Sequence, residues 1–451
     1  MQAKERAIVI GGGIAGLLAA RVLTAHFKHV VLIERDQYPH EPVFRAGIPQ
    51  GRHVHVLLLR GQQIIEELFP GITKKLIEQG AIEYDFIREL AMRFPTGWMI
   101  RQKSPLIGYT CTRLLIEWQI RQELLENERV EIIEKHEAVE LLASDNARSV
   151  RGVLLRKRDT TAPAESEQAE ILADLVVDAS GRDSHAPQWL QKLGYTPPQE
   201  TEINAFLGYA TCTYELDPDA TRDWCALAIL SSPPENLRGG LIWAIEGGRW
   251  MVVLAGSGRD YPPTDATGFL EFTRSLIDQA LYAVIKEAKP VTPIYGYRRT
   301  ENRLRHFELL KRRPERFIVL GDANCAFNPV YGQGMTVAAL GAMALKNCLD
   351  QQKDDLDGLA TRFSKKLALA TRLPWQLATS SDDAVLKAIG EGKEFPLTTK
   401  IVHKYVQGLT EIIPYSPLAC RTFIEVQHMV KPPATLFHPV LVWKVLTRKH
   451  V

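Results

Sequence analysis

Three glycines and an acid near the start of the chain, and an acid and two glycines far downstream, are the residues whose types and spacing could do chemistry. In VIGGGIAG the glycines are Gly11, Gly13 and Gly16, and Glu34 follows in VVLIERD. Glycines so spaced let a phosphate approach the backbone, and an acid about 20 residues further on accepts hydrogen bonds from a ribose. In FIVLGDANCAFNPVYGQGM, Asp322 stands where an apolar run stops, and Pro329, Gly332 and Gly334 shape the turn before a helical stretch. A carboxylate there suits a polyol hydroxyl. Glycines opening a helix aim backbone N–H groups and the positive helix end at developing negative charge.

The elements that must position these groups are legible around them. RAIVIGGGIAGLLAARVLTAHFKHVVLIERD reads as a buried strand over Ala7–Ile10, a helix over Ala15–Ala25 and a second buried strand over His29–Ile33, a βαβ unit. Gly11 makes the tight turn, Gly13 admits a pyrophosphate, and Gly16 lets helix and strand pack closely. LADLVVDASGRDS is a further apolar strand, ending in Asp178-Ala179-Ser180-Gly181. A simple NAD dehydrogenase has no use for a second acid-tipped strand so far from the glycines. A flavin has: Asp322 would take a ribityl hydroxyl, and Gly332–Met335 would face the ring that gains negative charge on reduction. The expected cofactor is FAD.

VIGGGIAG, VVDASGRDS and GDANCAFNPVYGQGM, in this order, resemble the FAD-dependent monooxygenases of the para-hydroxybenzoate hydroxylase superfamily. FRAGIPQGRHVHVLLLRG resembles the branch of bacterial polyene and polyether epoxidases. The resemblance implies hydroxylation or epoxidation of a lipophilic small molecule with O2, through a flavin C4a-hydroperoxide; a prenyl-chain reductase, a variant halogenase and a non-catalytic flavoprotein are the alternatives. Electrons would come from NAD(P)H directly or through a partner flavin reductase. It also implies FAD contacts at Arg35, Arg45 and Arg113, where an ordinary surface arginine is the alternative for Arg113. With Ile14, Ala15, Val139, Gly181 and Met335, these residues join Gly11, Gly13, Gly16, Glu34, Asp322, Gly332 and Gly334 as the expected cofactor-binding set. No catalytic residue beyond the flavin stands out. His53 and His55 in GRHVHVLL are the candidates: one would tune a proton beside the ring, or both would only hydrogen-bond backbone. Period-two spacing puts them on one face if the stretch is extended.

Between the flavin motifs, LIWAIEGGRWMVVLAGSG reads as an antiparallel hairpin. The expected architecture is therefore α/β: a Rossmann-type FAD-binding domain interleaved with a mostly antiparallel β-sheet substrate domain, plus a helical C-terminal part. The boundaries expected are 1–80, 102–190 and 290–350 for FAD, 81–101 and 191–289 for substrate, and 351–451 for the helices. TTAPAESEQAE (160–170) reads as an exposed hairpin tip, and the closing LFHPVLVWKVLTRKH as a segment that packs on its own domain rather than on a membrane.

Composition excludes more than it selects. Lys and Arg total 55 against 53 Asp and Glu, which gives no whole-chain electrostatic argument for nucleic acid or an anionic membrane. The six cysteines have no metal-ligand spacing and no metal site is expected; reduced, structural thiols suit a reducing compartment. The first strand begins too early for a secretory h-region, and no apolar run reaches transmembrane length. The expected location is the cytoplasm.

Overall fold

The computed structural model describes residues 4–158, 168–217, 219, 221–352, 355–392 and 397–447. Most of the 160–170 tip lies outside these residues; the flanking strands Val150–Lys157 and Gln168–Leu172 pair antiparallel.

Five parallel strands form the organising sheet, in the order Phe317–Val319, Leu175–Asp178, Arg6–Ile10, His29–Ile33, Val130–Ile133. The three central strands are covered on both faces, which is why their sequences are continuous apolar runs rather than alternating ones. Val9, Leu32, Val177 and Ile318 pack on one side against the helices Ile14–Leu23 and Gly334–Gln352. Ile8, Val31, Val176 and Phe317 pack on the other, with Val153, Leu155 and Trp189. The register sets Ile10 opposite both Asp178 and Ile33, so Gly11, Ala179 and Glu34 emerge at one edge. In an open parallel sheet that edge is where ligands bind.

The first helix can start so close to its strand only because of two glycines. Gly11 has φ +95°, and a β-carbon on Gly16 would lie 1.8 Å from the Gly11 carbonyl oxygen. Gly16 therefore serves packing, as its place in the motif predicts.

An eight-stranded sheet stands between the flavin motifs. Its hairpin, Arg238–Ile245 and Arg249–Gly256, turns on Gly247 and Gly248 at positive φ. The sheet is mostly antiparallel, with one parallel pairing of Leu90–Phe94 to Ala226–Ile229. One face is sealed by Phe269, Phe272 and Leu281 from two short helices. The other packs Trp243 and Met251 against Tyr84 and Phe86, and Tyr297 at one edge reaches the cleft described below.

The C-terminal part is helical, with helices Leu359–Ala388, Leu397–Ile412, Pro417–Gln427 and Pro439–Thr447. Among the described residues no helix is long and apolar enough to cross a membrane.

Candidate functional site

A long cleft runs along the carboxyl edge of the parallel sheet, enclosing about 1610 Å³ counted with its open mouth. Gly11, Gly13, Ile14 and Ala15 line it, with Glu34, Arg35 and Arg45 near the glycine turn. Asp322, Gly332, Gly334 and Met335 line it too, as do Arg113, Gly181 and His55. Residues far apart in sequence thus share one wall.

At the glycine turn the electrostatics are those of a held acid and an open base. Glu34 is buried; its carboxylate accepts from the N–H of Gly12 at 2.9 Å and of Asp36 at 2.9 Å. Arg45 is buried between Glu34 at 3.1 Å, Asp36 at 3.0 Å and Glu117 at 2.9 Å, and it also donates to the Gly12 carbonyl. Burial opposes its charge, and these carboxylates outweigh burial and hold the guanidinium protonated. All three of its nitrogens are engaged within the protein, so Arg45 orients Glu34 and the glycine turn.

Arg113 differs. It begins the helix Arg113–Leu125, capped by Thr112, and its Nη2 meets Glu117 only at 3.4 Å. Its buried Nε has no hydrogen-bond partner. A β-carbon on Gly13 would touch nothing but the Arg113 guanidinium, at 3.9 Å. A guanidinium beside a bare glycine turn, held by only one long ion pair, fits an anionic diphosphate. Arg35 is more exposed, with one long contact of 3.4 Å to the Gly47 carbonyl.

The far end carries the second acid. Asp322 follows the strand Phe317–Val319 in a short 3-10 turn, is partly buried, and makes no hydrogen bond to another described residue. Asp178, the other strand-end acid, is fully buried and accepts from Ser180 and Ser184. Of the two, Asp322 offers lone pairs to a ligand. Gly332 has φ +64°, the left-handed turn that admits the helix Gly334–Gln352. Among the described residues the N–H groups of Gly334, Met335 and Thr336 have no acceptor, as expected at a helix start. A β-carbon on Gly334 would meet nothing within 4 Å. Uncommitted donors and bare space meet at one place, and the donor set fits the acceptor edge of a flavin ring.

The two histidines part company. His53 is buried, bonds Thr211 Oγ1 through Nδ1 at 2.8 Å, and sits edge-on to Tyr209; it does not line the cleft. His55 does, and its Nδ1 lies 2.9 Å from the His53 carbonyl. A carbonyl only accepts, so Nδ1 carries the proton and Nε2 keeps its lone pair. Burial, then the Arg113 charge, push the His55 pKa down to about 3; burial, then Arg52, push that of His53 to about 4. Both rings are neutral at pH 7.

Val139 also lies off the cleft wall, which is formed there by His136, Glu137 and Ala138. The strand His136–Ala143 shifts register between Ala138 and Glu140, leaving Val139 as a bulge whose carbonyl accepts from Trp189 at 3.0 Å. A single extra residue moves the facing position by one.

Sequence patterns give no hint of what fixes the glycine loop. Asp382, on the helix Leu359–Ala388, is 1% exposed and accepts from Tyr331 at 2.6 Å, Asn302 at 2.7 Å and Asn328 at 3.2 Å. Arg182 adds a second clamp by bonding the Phe327 carbonyl and Glu301. Arg182 adjoins Gly181 in the DASGRDS motif, a signal that could have marked it. Asp382 lies in no motif.

Known proteins share this fold and give the family. Residues 4–352 match the model of the FAD binding domain family. Protein Rv3254 of Mycobacterium tuberculosis is 30% identical over 395 residues, covering 86% of this chain and 82% of that protein. Kynurenine 3-monooxygenase of Salinispora tropica is 24% identical, covering 79% and 75%. Among solved structures, a triple mutant of the flavin-dependent brominase Bmp2 superposes with a TM-score of 0.63 at 14% identity, covering 95% of this chain and all of that one. That last likeness is one of fold. The epoxidase branch suggested by residues 44–61 finds no specific support, whereas the wider superfamily does. The chain belongs to the FAD binding domain family and is an FAD-dependent oxidoreductase.

Proposed function

We propose that the protein is a monooxygenase that hydroxylates or epoxidises a lipophilic small molecule, with electrons from NAD(P)H directly or through a partner flavin reductase. FAD, when bound, supplies the ring that activates O2. The chain's own residues do the rest. Arg113 and the N–H groups of the glycine turn hold the diphosphate, Glu34 the ribose, Arg35 the adenosine end, and Asp322 the ribityl chain. The start of the helix Gly334–Gln352 faces the ring. His55 keeps its proton on Nδ1 and offers Nε2 as an acceptor. On this reading 1–80, 102–190 and 290–350 bind FAD, and 81–101 and 191–289 bind substrate.

The observation that carries the substrate class is the junction of cleft and sheet. Tyr297 lines the cleft and stacks on Tyr209 at 5.6 Å. From Tyr209 the cross-strand register continues on the same face through Ala255, Thr211, Val253, Leu241, Ala228 and Met92. None of these residues is charged. A face of this kind favours a largely apolar substrate, because a charge on it would meet a cation only at the edge, where Arg52 lies over Tyr295, the partner of Thr211.

The test is product analysis. Reduced enzyme is supplied with a panel of neutral lipophilic compounds under isotope-labelled dioxygen. Incorporation of one labelled oxygen atom supports the reading. Halide incorporation, or alkene saturation without oxygen uptake, would replace it with the halogenase or the prenyl-chain reductase that share this fold.

A further inference from the structure

The last two helices present an apolar surface that the catalytic reading does not use. The helix Pro439–Thr447 packs by one face only: Leu441 is fully buried, and Val445 fits against Gly408, where a β-carbon would come within 2.8 Å of it. Its other face carries Val440, Trp443 at 55% exposure and Leu446 at 76%. Phe437, at the end of the 3-10 turn just before the helix, is exposed beside it. Phe437 stacks on Tyr405 at 4.8 Å, and Tyr405 donates to the Leu436 carbonyl at 2.6 Å. Tyr405 follows the exposed Ile401 by one helical turn, so the patch crosses from one helix to the next. The close packing at Gly408 makes it a fixed platform.

Charge says what covers it. From residue 397 to the end there are seven Lys and Arg (Lys400, Lys404, Arg421, Lys431, Lys444, Arg448 and Lys449) against two acids, in a chain of net charge +2. One of the acids, Glu425, is buried and paired with Arg421 and Lys431. The near-neutral total conceals a basic end. Lys400 and Lys404 are exposed on the helix that carries Ile401 and Val402, and Lys444 follows Trp443. A second copy meeting this patch about a two-fold axis would set like charge against like. An anionic lipid headgroup layer over an apolar interior complements both features, with tryptophan at the boundary.

We propose that the surface formed by Ile401, Phe437, Val440, Trp443 and Leu446 docks the enzyme on an anionic membrane face. Since no described helix could span a bilayer, docking is peripheral and reversible.

Holoenzyme is sedimented with vesicles of phosphatidylcholine alone or mixed with phosphatidylglycerol, at low and high salt. Its mass in solution is measured in parallel. The expected result is binding to the anionic vesicles that weakens with salt. Trp443→Ser combined with Leu446→Ser should lower it at least tenfold while FAD content stays at the parent level. Lys400→Glu with Lys404→Glu should lower it without removing apolar surface. Failure to sediment with either vesicle, equal sedimentation with both, or a dimer that the serine variant converts to monomer would overturn the proposal.

Discussion

The Tyr331 hydroxyl donates a 2.6 Å hydrogen bond to Asp382, joining the glycine loop to a helix that lies beyond the family match at residue 352. Asn328, in the same loop, donates to the same carboxylate. Among the described residues its hydrogen-bond donors are three neutral groups, and Asp383 adds a like charge nearby. Burial therefore dominates, and the Asp382 pKa rises from 3.8 to about 6.

That shift fixes the sign of a pH effect. Between about pH 4 and pH 6 the folded chain holds a proton that the unfolded chain has released. The stabilisation is complete below the unfolded value and is lost as pH rises through the folded one. The unfolding free energy of wild type minus that of Asp382→Asn should therefore fall across this window, by an amount on the order of 3 kcal/mol. Denaturant titrations of both apo-proteins at several pH values check it. Parallel curves would mean that Asp382 is not the titrating group.

The diphosphate assignment makes a separable prediction. Gly13 is not at positive φ, and its β-carbon would contact only Arg113. Gly13→Ala should leave the thermal stability of the apo-protein within a degree or so, while FAD binds at least tenfold more weakly. Arg113→Met should weaken FAD by about tenfold to hundredfold through loss of a charge-assisted contact. Equilibrium titration with FAD measures both. Unchanged affinity in the two variants would move the diphosphate elsewhere.

Asp322→Ala should likewise release FAD without unfolding the chain. The lost bond joins a charged acceptor to a neutral hydroxyl, worth about 1.5–3 kcal/mol, or roughly tenfold to hundredfold in affinity. Full FAD retention after long dialysis would disprove the ribityl role.

The candidate site was legible in the sequence only where it is built locally. The turn at Gly11, the close approach at Gly16 and the acid after His29–Ile33 belong to one βαβ unit, whose glycines and apolar runs are short-range signals. Asp322 and Gly332 were legible for the same reason. Asp382 was not: its donors lie 80, 54 and 51 residues away, and no periodicity records a side-chain bond of that length. Val139 was displaced by a bulge, and a one-residue insertion in a strand leaves no mark in composition. His53 and His55 share a spacing but not a surface, because the His55 ring folds back onto the His53 carbonyl while His53 reaches the neighbouring sheet. The basic C-terminal end was hidden by a balanced total.

The central claim is that the glycine loop and the start of the helix Gly334–Gln352 face the reducible ring. Gly334→Ala tests it most directly, since the added methyl enters open space in the cleft and strains nothing in the apo fold. Spectroelectrochemical titration of bound flavin should show a lower two-electron midpoint potential in the variant. One lost charge-assisted contact of about 1.4 kcal/mol corresponds to roughly 30 mV. A midpoint identical to wild type, with FAD still bound, would contradict the placement of the ring at the helix start.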